Sequence, residues 1–135
     1  MPHVSRRGLP KKTEIELINS LKIVIRRTNK SDDVEKLISS LLTKTEKLMI
    51  AKRFAVVVML KEGFEEQDIA DALHVTRETV ERLKLLYQLN GEGYDIAIRK
   101  LQDEKVYKQF KKILISLARY AVRAAGGYVK PTILD

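Results

Sequence analysis

The sequence contains no cysteine and only two histidines, which stand at positions 3 and 74. Without cysteine the chain can form no disulfide, thiolate zinc site, iron–sulfur cluster or cysteine nucleophile. No group of His, Asp and Glu has the spacing of a metal site, and no glycine-rich loop suits a phosphate. We therefore expect a protein that is not an enzyme and that holds no metal or cofactor, while a small effector stays open.

Long apolar runs are also missing. No stretch approaches the roughly 18 consecutive apolar residues that a membrane-spanning helix needs. The first residues lack the apolar core of a secretory signal. These two absences predict a chain without a membrane segment and a cytoplasmic location. The hydrophobic fraction of 44% over 135 residues favours a folded protein with a modest core.

The formal net charge of +8 is unevenly distributed. Residues 1–30 hold eight bases and two acids (+6), and residues 94–135 hold nine bases and four acids (+5). Residues 65–93 hold three bases and seven acids (−4). A basic balance favours a polyanionic partner, of which nucleic acid is the commonest. Two basic ends therefore enclose an acidic middle.

Apolar residues at helical spacing predict an all-α chain. One helix is expected over 13–27, and a second begins after an N-cap at Ser31. A third runs from a capping box at Thr43–Glu46 to about Lys61. Further helices are expected over 94–101 and from 103 or 104 to about Ala125. Two continuous apolar runs, Ile23–Ile25 and Phe54–Leu60, would also suit buried strands. If Phe54–Leu60 is helical, it is apolar on every side, and burying it suggests a second subunit.

Residues 65–89 fit a helix-turn-helix. The first helix is Glu65–Leu73, and His74 follows at a turn position that often needs a positive φ, which histidine tolerates. Thr76 is the expected N-cap of the second helix, 76–89. A structural pair of amphipathic helices is the alternative. The expected inward positions are Ile69, Ala70, Leu73, Val75, Val80 and Leu83.

The second helix carries the residues that can meet base edges in a major groove. Arg77 suits guanine, and Glu78 or Glu81 can accept from cytosine. Gln67, at the start of the first helix, suits a phosphate or an adenine. With Thr76, Arg82 and Lys84, which points toward the DNA backbone, these residues form the predicted DNA-binding set. A solvated surface charge is the alternative for each of them.

The acidic first helix would repel phosphates, so the attraction must come from the basic ends. Residues 1–12 are predicted to be a flexible basic arm that reaches DNA or is simply a tail. The last helix separates an apolar sector, including Ile113, Leu117 and Tyr120, from a basic stripe. That stripe could follow phosphates or a membrane surface, or be solvated. The candidate phosphate contacts are Arg6, Arg7, Lys11, Lys12, Lys108, Lys112 and Arg119.

Several segments together resemble the Trp repressor superfamily, in particular its YerC/YecD-like branch, over about residues 34–101. The resemblance implies an intertwined homodimer and a transcription regulator, typically a repressor, that binds a palindromic operator in double-stranded DNA. The segments are LLTKTE at 41–46, AKRF at 51–54, MLKEG at 59–63, Ile69-Ala70, TVER at 79–82 and NGEGY at 90–94.

The resemblance also bears on a corepressor. In tryptophan-binding members an arginine of the long helix and an Arg-Gly pair of the recognition helix form the indole site. Arg53 and Arg82 match the arginines, but Leu83 stands where the glycine should be. Its side chain would occupy the space of the indole ring, so these positions are vestigial and no tryptophan corepressor is expected.

The predicted organisation is an arm (1–12), a Trp-repressor-like helix-turn-helix domain (13–101), a C-terminal amphipathic helix (102–127) and a tail (128–135). The predicted function is sequence-specific regulation of transcription by a homodimer associated with the nucleoid. The alternative is a helical protein–protein interaction or adaptor domain that touches DNA only weakly.

Overall fold

The computed structural model describes residues 6–102 and 105–124, and within these ranges every regular element is an α-helix. Both apolar runs that suited strands lie in helices, so the all-α prediction is confirmed and the strand alternative is wrong. The helices are α1 (Lys11–Arg27), α2 (Ser31–Leu41), α3 (Lys44–Lys61), α4 (Glu66–Leu73), α5 (Arg77–Asn90), α6 (Glu92–Gln102) and α7 (Val106–Ala124).

Several helix boundaries differ from the predicted ones by one or two residues, and the starts of α1, α2 and α6 illustrate this. Helix α1 begins at Lys11, so the last two residues of the predicted arm are helical. Ser31 is the first residue of α2, and its N-cap is Lys30, which makes no capping side-chain bond. Helix α6 begins at Glu92, two residues before the predicted start at 94. The predicted start of the last helix, at 103 or 104, and the tail 128–135 lie outside the described residues.

The chain divides into two compact units, residues 1–45 and 46–135. In the first unit, neither α1 nor α2 has a buried residue. Helix α1 instead exposes an apolar face whose members are 43–57% accessible. Helices of this length depend on packing of their apolar face for stability. The exposed residues of that face are Ile15, Ile18, Leu21, Val24 and Ile25.

The core of the second unit is built around α3. Its residues Ala55–Met59 are at most 5% exposed. They share one apolar cluster with residues of α4, α5, α6 and α7. Helices of the same chain cover Ala55–Met59, so burial of these residues does not by itself require the second subunit that the apolar run suggested.

Helix α7 is a full member of this unit. Tyr107, Leu114 and Ala118 lie in the shared cluster at 3–6% exposure. Lys111 Nζ lies 2.7 Å from Glu62 Oε1, just beyond the end of α3. Burial opposes the charged form of Lys111, but Glu62 and Tyr107 together outweigh this cost and raise the pKa of Lys111. The predicted C-terminal helix thus shares the core of the helix-turn-helix, and the predicted domain bounds stay a prediction.

The predicted apolar sector of α7 is only partly buried. Ile113, Leu117 and Tyr120 belong to that sector, but they are 58%, 39% and 76% exposed. Ile115 is 7% exposed instead. The apolar residues of this helix cover more than one face, so their spacing alone does not determine which face α4 and α6 cover.

Replacing Leu114 by alanine tests whether α7 belongs to the folded unit. We expect the free energy of unfolding to fall by about 2–4 kcal/mol, because a buried side chain leaves a cavity. Ile113→Ala, one residue away and exposed, should change it by less than about 0.5 kcal/mol. Chemical denaturation at one protein concentration measures both. Equal effects of the two substitutions would contradict the observed packing.

Candidate nucleic-acid interface

Helices α4 and α5 form the predicted helix-turn-helix. Ile69 and Ala70 of α4 are 0% and 3% exposed, and Val80 and Leu83 of α5 are 0% and 6% exposed. Val75, between the helices, is partly buried against the same cluster. The small side chain of Ala70 lets the two helices approach closely. The predicted inward positions are therefore confirmed.

The turn depends on the backbone of His74. Its φ of 52° and ψ of 49° lie in the left-handed region, as expected from its place in the motif. The amides of His74 and Val75 both donate to the carbonyl of Ala70 and so satisfy the end of α4. This conformation ends α4 abruptly and lets the chain enter α5 after two more residues.

Thr76 starts α5 as the predicted N-cap. Its hydroxyl oxygen accepts a hydrogen bond from the amide of Thr79 at 3.1 Å. The Thr76 and Thr79 hydroxyl oxygens also lie 2.7 Å apart. Such a cap typically stabilises a helix by about 1 kcal/mol. The first turn of the candidate recognition helix is therefore well ordered locally.

The outer face of α5 presents the predicted base-reading residues to solvent. Arg77, Glu78, Glu81 and Arg82 are all exposed. Arg77 Nε lies 3.3 Å from Glu81 Oε1, and the two side chains are 60% and 52% exposed. A surface pair one helical turn apart contributes only about 0.3–0.5 kcal/mol. The structure thus pairs two of the candidate base-contacting residues, Arg77 and Glu81. This ion pair is weak enough for a stronger contact to replace it.

Lys84, predicted to point toward the DNA backbone, forms an ion pair within the motif. Its Nζ lies 3.0 Å from Glu66 Oε1, so it joins the start of α4 to the middle of α5. The hydrogen bond from Lys84 lowers the pKa of Glu66. This ion pair stabilises the motif fully when the pH is above the ordinary pKa of a glutamate. The stabilisation is lost as the pH falls through the lowered pKa of Glu66. Glu66 was not among the predicted site residues, because it lies 18 positions from Lys84 and only the crossing of α4 and α5 brings the two side chains together.

Other acidic residues of α4 also have defined surroundings. Gln67, a candidate phosphate or adenine contact, donates from Nε2 to Asp71 Oδ1 at 2.9 Å. Burial, together with repulsion from Glu65 and Asp71, raises the pKa of Asp68. The acidic surface of α4 therefore persists in the folded chain, as the local charge count predicted.

A polar contact fixes the far end of α5. The Tyr87 hydroxyl donates to Asp95 Oδ1 of α6 at 2.6 Å, and its ring meets Tyr94 edge to face. Gly91 lies between the two helices, where an added Cβ would collide with the Tyr87 backbone and ring. Only glycine allows this close approach, so the junction holds the second half of α5 against α6.

The candidate phosphate contacts fall in both units. Arg6, Arg7, Lys11 and Lys12 are exposed in the first unit. Lys108 and Lys112 are exposed on α7 in the second unit, whereas Arg119 is half-buried.

The positions that match a tryptophan site also differ in burial. Arg53 is half-buried on α3 and Arg82 is exposed on α5. Leu83 packs into the apolar cluster and is only 6% exposed. The side chain that replaces the family glycine is therefore part of the core.

Residues 6–102 and 105–124 contain neither a membrane-spanning helix nor a metal cluster. No helix in those ranges is both long and apolar enough to span a bilayer. The same ranges hold no cluster of three or more His, Asp or Glu side chains suited to a metal ion.

Comparison with known proteins agrees with the geometry of the motif. The family model described as Trp repressor protein matches residues 16–114, which is most of the chain. The searches of curated proteins and of solved structures gave no match. The matched region includes the whole helix-turn-helix and the first part of α7, as far as Leu114. The chain therefore belongs to the Trp repressor family, whose members are helix-turn-helix DNA-binding regulators of transcription.

Proposed function

We propose that this protein is a homodimeric regulator, acting as a repressor, that reads a palindromic operator with the opening turn of α5. One observation carries the proposal. The residues from Thr76 to Glu78 are exposed, while Val80 and Leu83 behind them are fixed in the core. A helix held in this way can enter a major groove without rearranging the domain. Such a protein would act in the cytoplasm, on the nucleoid.

Arg77 is the proposed reader of guanine. A bidentate contact with guanine O6 and N7 discriminates against a wrong base by about 1–3 kcal/mol. This exceeds the contribution of the exposed pair with Glu81, so DNA can draw Arg77 away from that partner. Glu81, once released, can accept from a cytosine amino group, as can Glu78. Gln67 and Arg82 complete the proposed contacts.

The proposed source of phosphate attraction lies outside the helix-turn-helix. Residues 65–93 carry a net charge of −4, and Lys84 is paired with Glu66. The exposed Lys108 and Lys112 of α7 are free of acidic neighbours on their own helix, because residues 105–124 contain no Asp or Glu. With the basic residues 6–12, they would supply most of the salt-dependent binding.

Arg77→Ala and Lys112→Ala separate base reading from phosphate contact. The test uses duplexes selected from a random pool by the wild-type protein, with anisotropy measured over a range of salt concentrations. Arg77→Ala should relax specificity at one base pair by about 1–3 kcal/mol. Lys112→Ala should weaken binding to all sequences alike and reduce the salt slope by about one.

The pattern of these two variants decides the proposal. If Arg77→Ala leaves the preference for every base pair unchanged while Lys112→Ala weakens all binding, α5 does not read DNA directly. The acidic surface of α4 favours one alternative in that case, a helical adaptor domain with weak, non-specific affinity for DNA. If selection from the random pool by the wild-type protein enriches no DNA sequence, the adaptor alternative would also be favoured.

We propose that α1 and α2 pack against a second copy of the chain. Neither helix buries a residue, although α1 has a continuous apolar face. An exposed face of this kind marks an interface. An intertwined dimer would bury it and would place two copies of α5 on one side for a two-fold symmetric operator.

Leu21→Asp tests this dimer, because it places a charge on the apolar face of α1. Light scattering should show a dimer for the wild type and dissociation or unfolding for the variant. Asn19→Asp places the same charge on the other side of the helix and should leave the dimer intact. A wild-type protein that is monomeric at every concentration would refute the proposal.

We also propose that tryptophan is not the corepressor. Leu83 is buried in the apolar cluster at the position of the family glycine, so the space of an indole ring is filled. Calorimetric titration of the wild type with L-tryptophan should give no saturable heat. A dissociation constant in the micromolar range would contradict this proposal. Membership of the YerC/YecD-like branch stays a prediction.

A further inference from the structure

Helix α7 exposes a row of apolar side chains next to the helix-turn-helix. Ile113, Leu117 and Tyr120 are separated by four and three residues, which places them along one line of the helix. They are 58%, 39% and 76% exposed, and we call them the α7 strip. The strip is about 10 Å long at 1.5 Å per residue.

A groove lies between the Leu117–Tyr120 part of the strip and the turn of the motif. It has a volume of about 570 Å³. Leu117 and Tyr120 line one wall, and Ala72 of α4 with His74 and Val75 of the turn line the other. A helix seated in this groove would therefore touch both α7 and the residues that lead into α5.

The strip is a fixed feature because the other side of α7 is anchored. Leu114 and Ala118 are buried. Phe110 stacks on Phe54 of α3 with ring centroids 5.8 Å apart. The 2.7 Å contact between Lys111 and Glu62 adds a half-buried ion pair. Exposure of the α7 strip is thus a property of a packed helix and does not reflect fraying.

The charges around the strip differ on its two edges. Residues 105–124 contain six Lys and Arg and no Asp or Glu, and Lys105 and Lys112 are exposed on the far edge. On the α4 edge, the Asp71 carboxylate already accepts a hydrogen bond from Gln67 at 2.9 Å. A segment in the groove would meet apolar side chains in the middle and the exposed Lys105 and Lys112 on one edge.

We propose that the α7 strip and its groove bind an acidic amphipathic helix of another protein. Its apolar face would cover Leu117 and Tyr120, and its carboxylates would lie along Lys112 and Lys105. Contact with phosphates alone would leave three apolar side chains in water, since protein–DNA interfaces are polar and basic. The buried side of α7 already packs against such a helix, because α4 combines a buried apolar face with Glu66, Asp68 and Asp71.

A synthetic peptide tests the proposal with the full-length protein and without DNA. The labelled peptide has about four helical turns, leucines at positions i, i+4 and i+7, and glutamates along one edge. Anisotropy should show saturable binding. A peptide of the same composition in permuted order should not bind, and neither should one with lysine in place of glutamate.

Variants locate the binding. Ile113→Ser with Leu117→Ser should weaken peptide binding about tenfold or more, as loss of central apolar anchors does. Lys112→Glu should weaken it as well. Leu89→Ser, which alters an equally apolar and 75% exposed residue of α5, should not. Thermal melting must show that each variant remains folded.

Three results would overturn the proposal. Equal binding of the ordered and permuted peptides would show non-specific association. Strip-dependent binding of vesicles containing phosphatidylglycerol, without peptide binding, would assign the strip to a lipid surface. Loss of self-association in the strip variant would assign it to a second copy of the chain. The proposal does not depend on base reading, since the strip variant should bind selected DNA as the wild type does.

Discussion

The packing of the second unit depends on the burial of α4 from two sides. Four of its eight residues are at most 8% exposed, and two of these are alanines at positions 70 and 72. A helix of eight residues has little stability alone. It persists because α5 and α7 remove its apolar face from water, and the alanines allow both neighbours to come close. The direction of α5, and with it the exposed face of the motif, follows from this packing.

Local rules explain why the motif itself could be predicted from the sequence. The backbone at His74, the cap at Thr76 and the inward positions Val80 and Leu83 each depend on residues only a few positions away. Spacing and turn chemistry therefore suffice to place them. The exposure of Arg77 follows as soon as the inward positions are known.

Contacts between residues that are far apart in the chain could not be predicted from the sequence. Lys84 was expected to face a phosphate, but its partner Glu66 comes from the preceding helix, and only the crossing of the two helices brings them together. The apolar residues of α7 occupy more than one face, so Ile113 and Ile115 could not be assigned without knowing where α4 lies. The same limit applied to Ala55–Met59, whose cover comes from the same chain.

The turn at His74 has a consequence for how this protein can diverge. A histidine codon is one base change away from codons for asparagine and aspartate, which also tolerate left-handed backbone. It is equally close to codons for tyrosine, leucine, proline, arginine and glutamine, which adopt that conformation rarely or not at all. Few single-base changes at position 74 therefore preserve the turn. Proteins descended from this one should vary little at this position, even where their recognition helices have come to bind other bases.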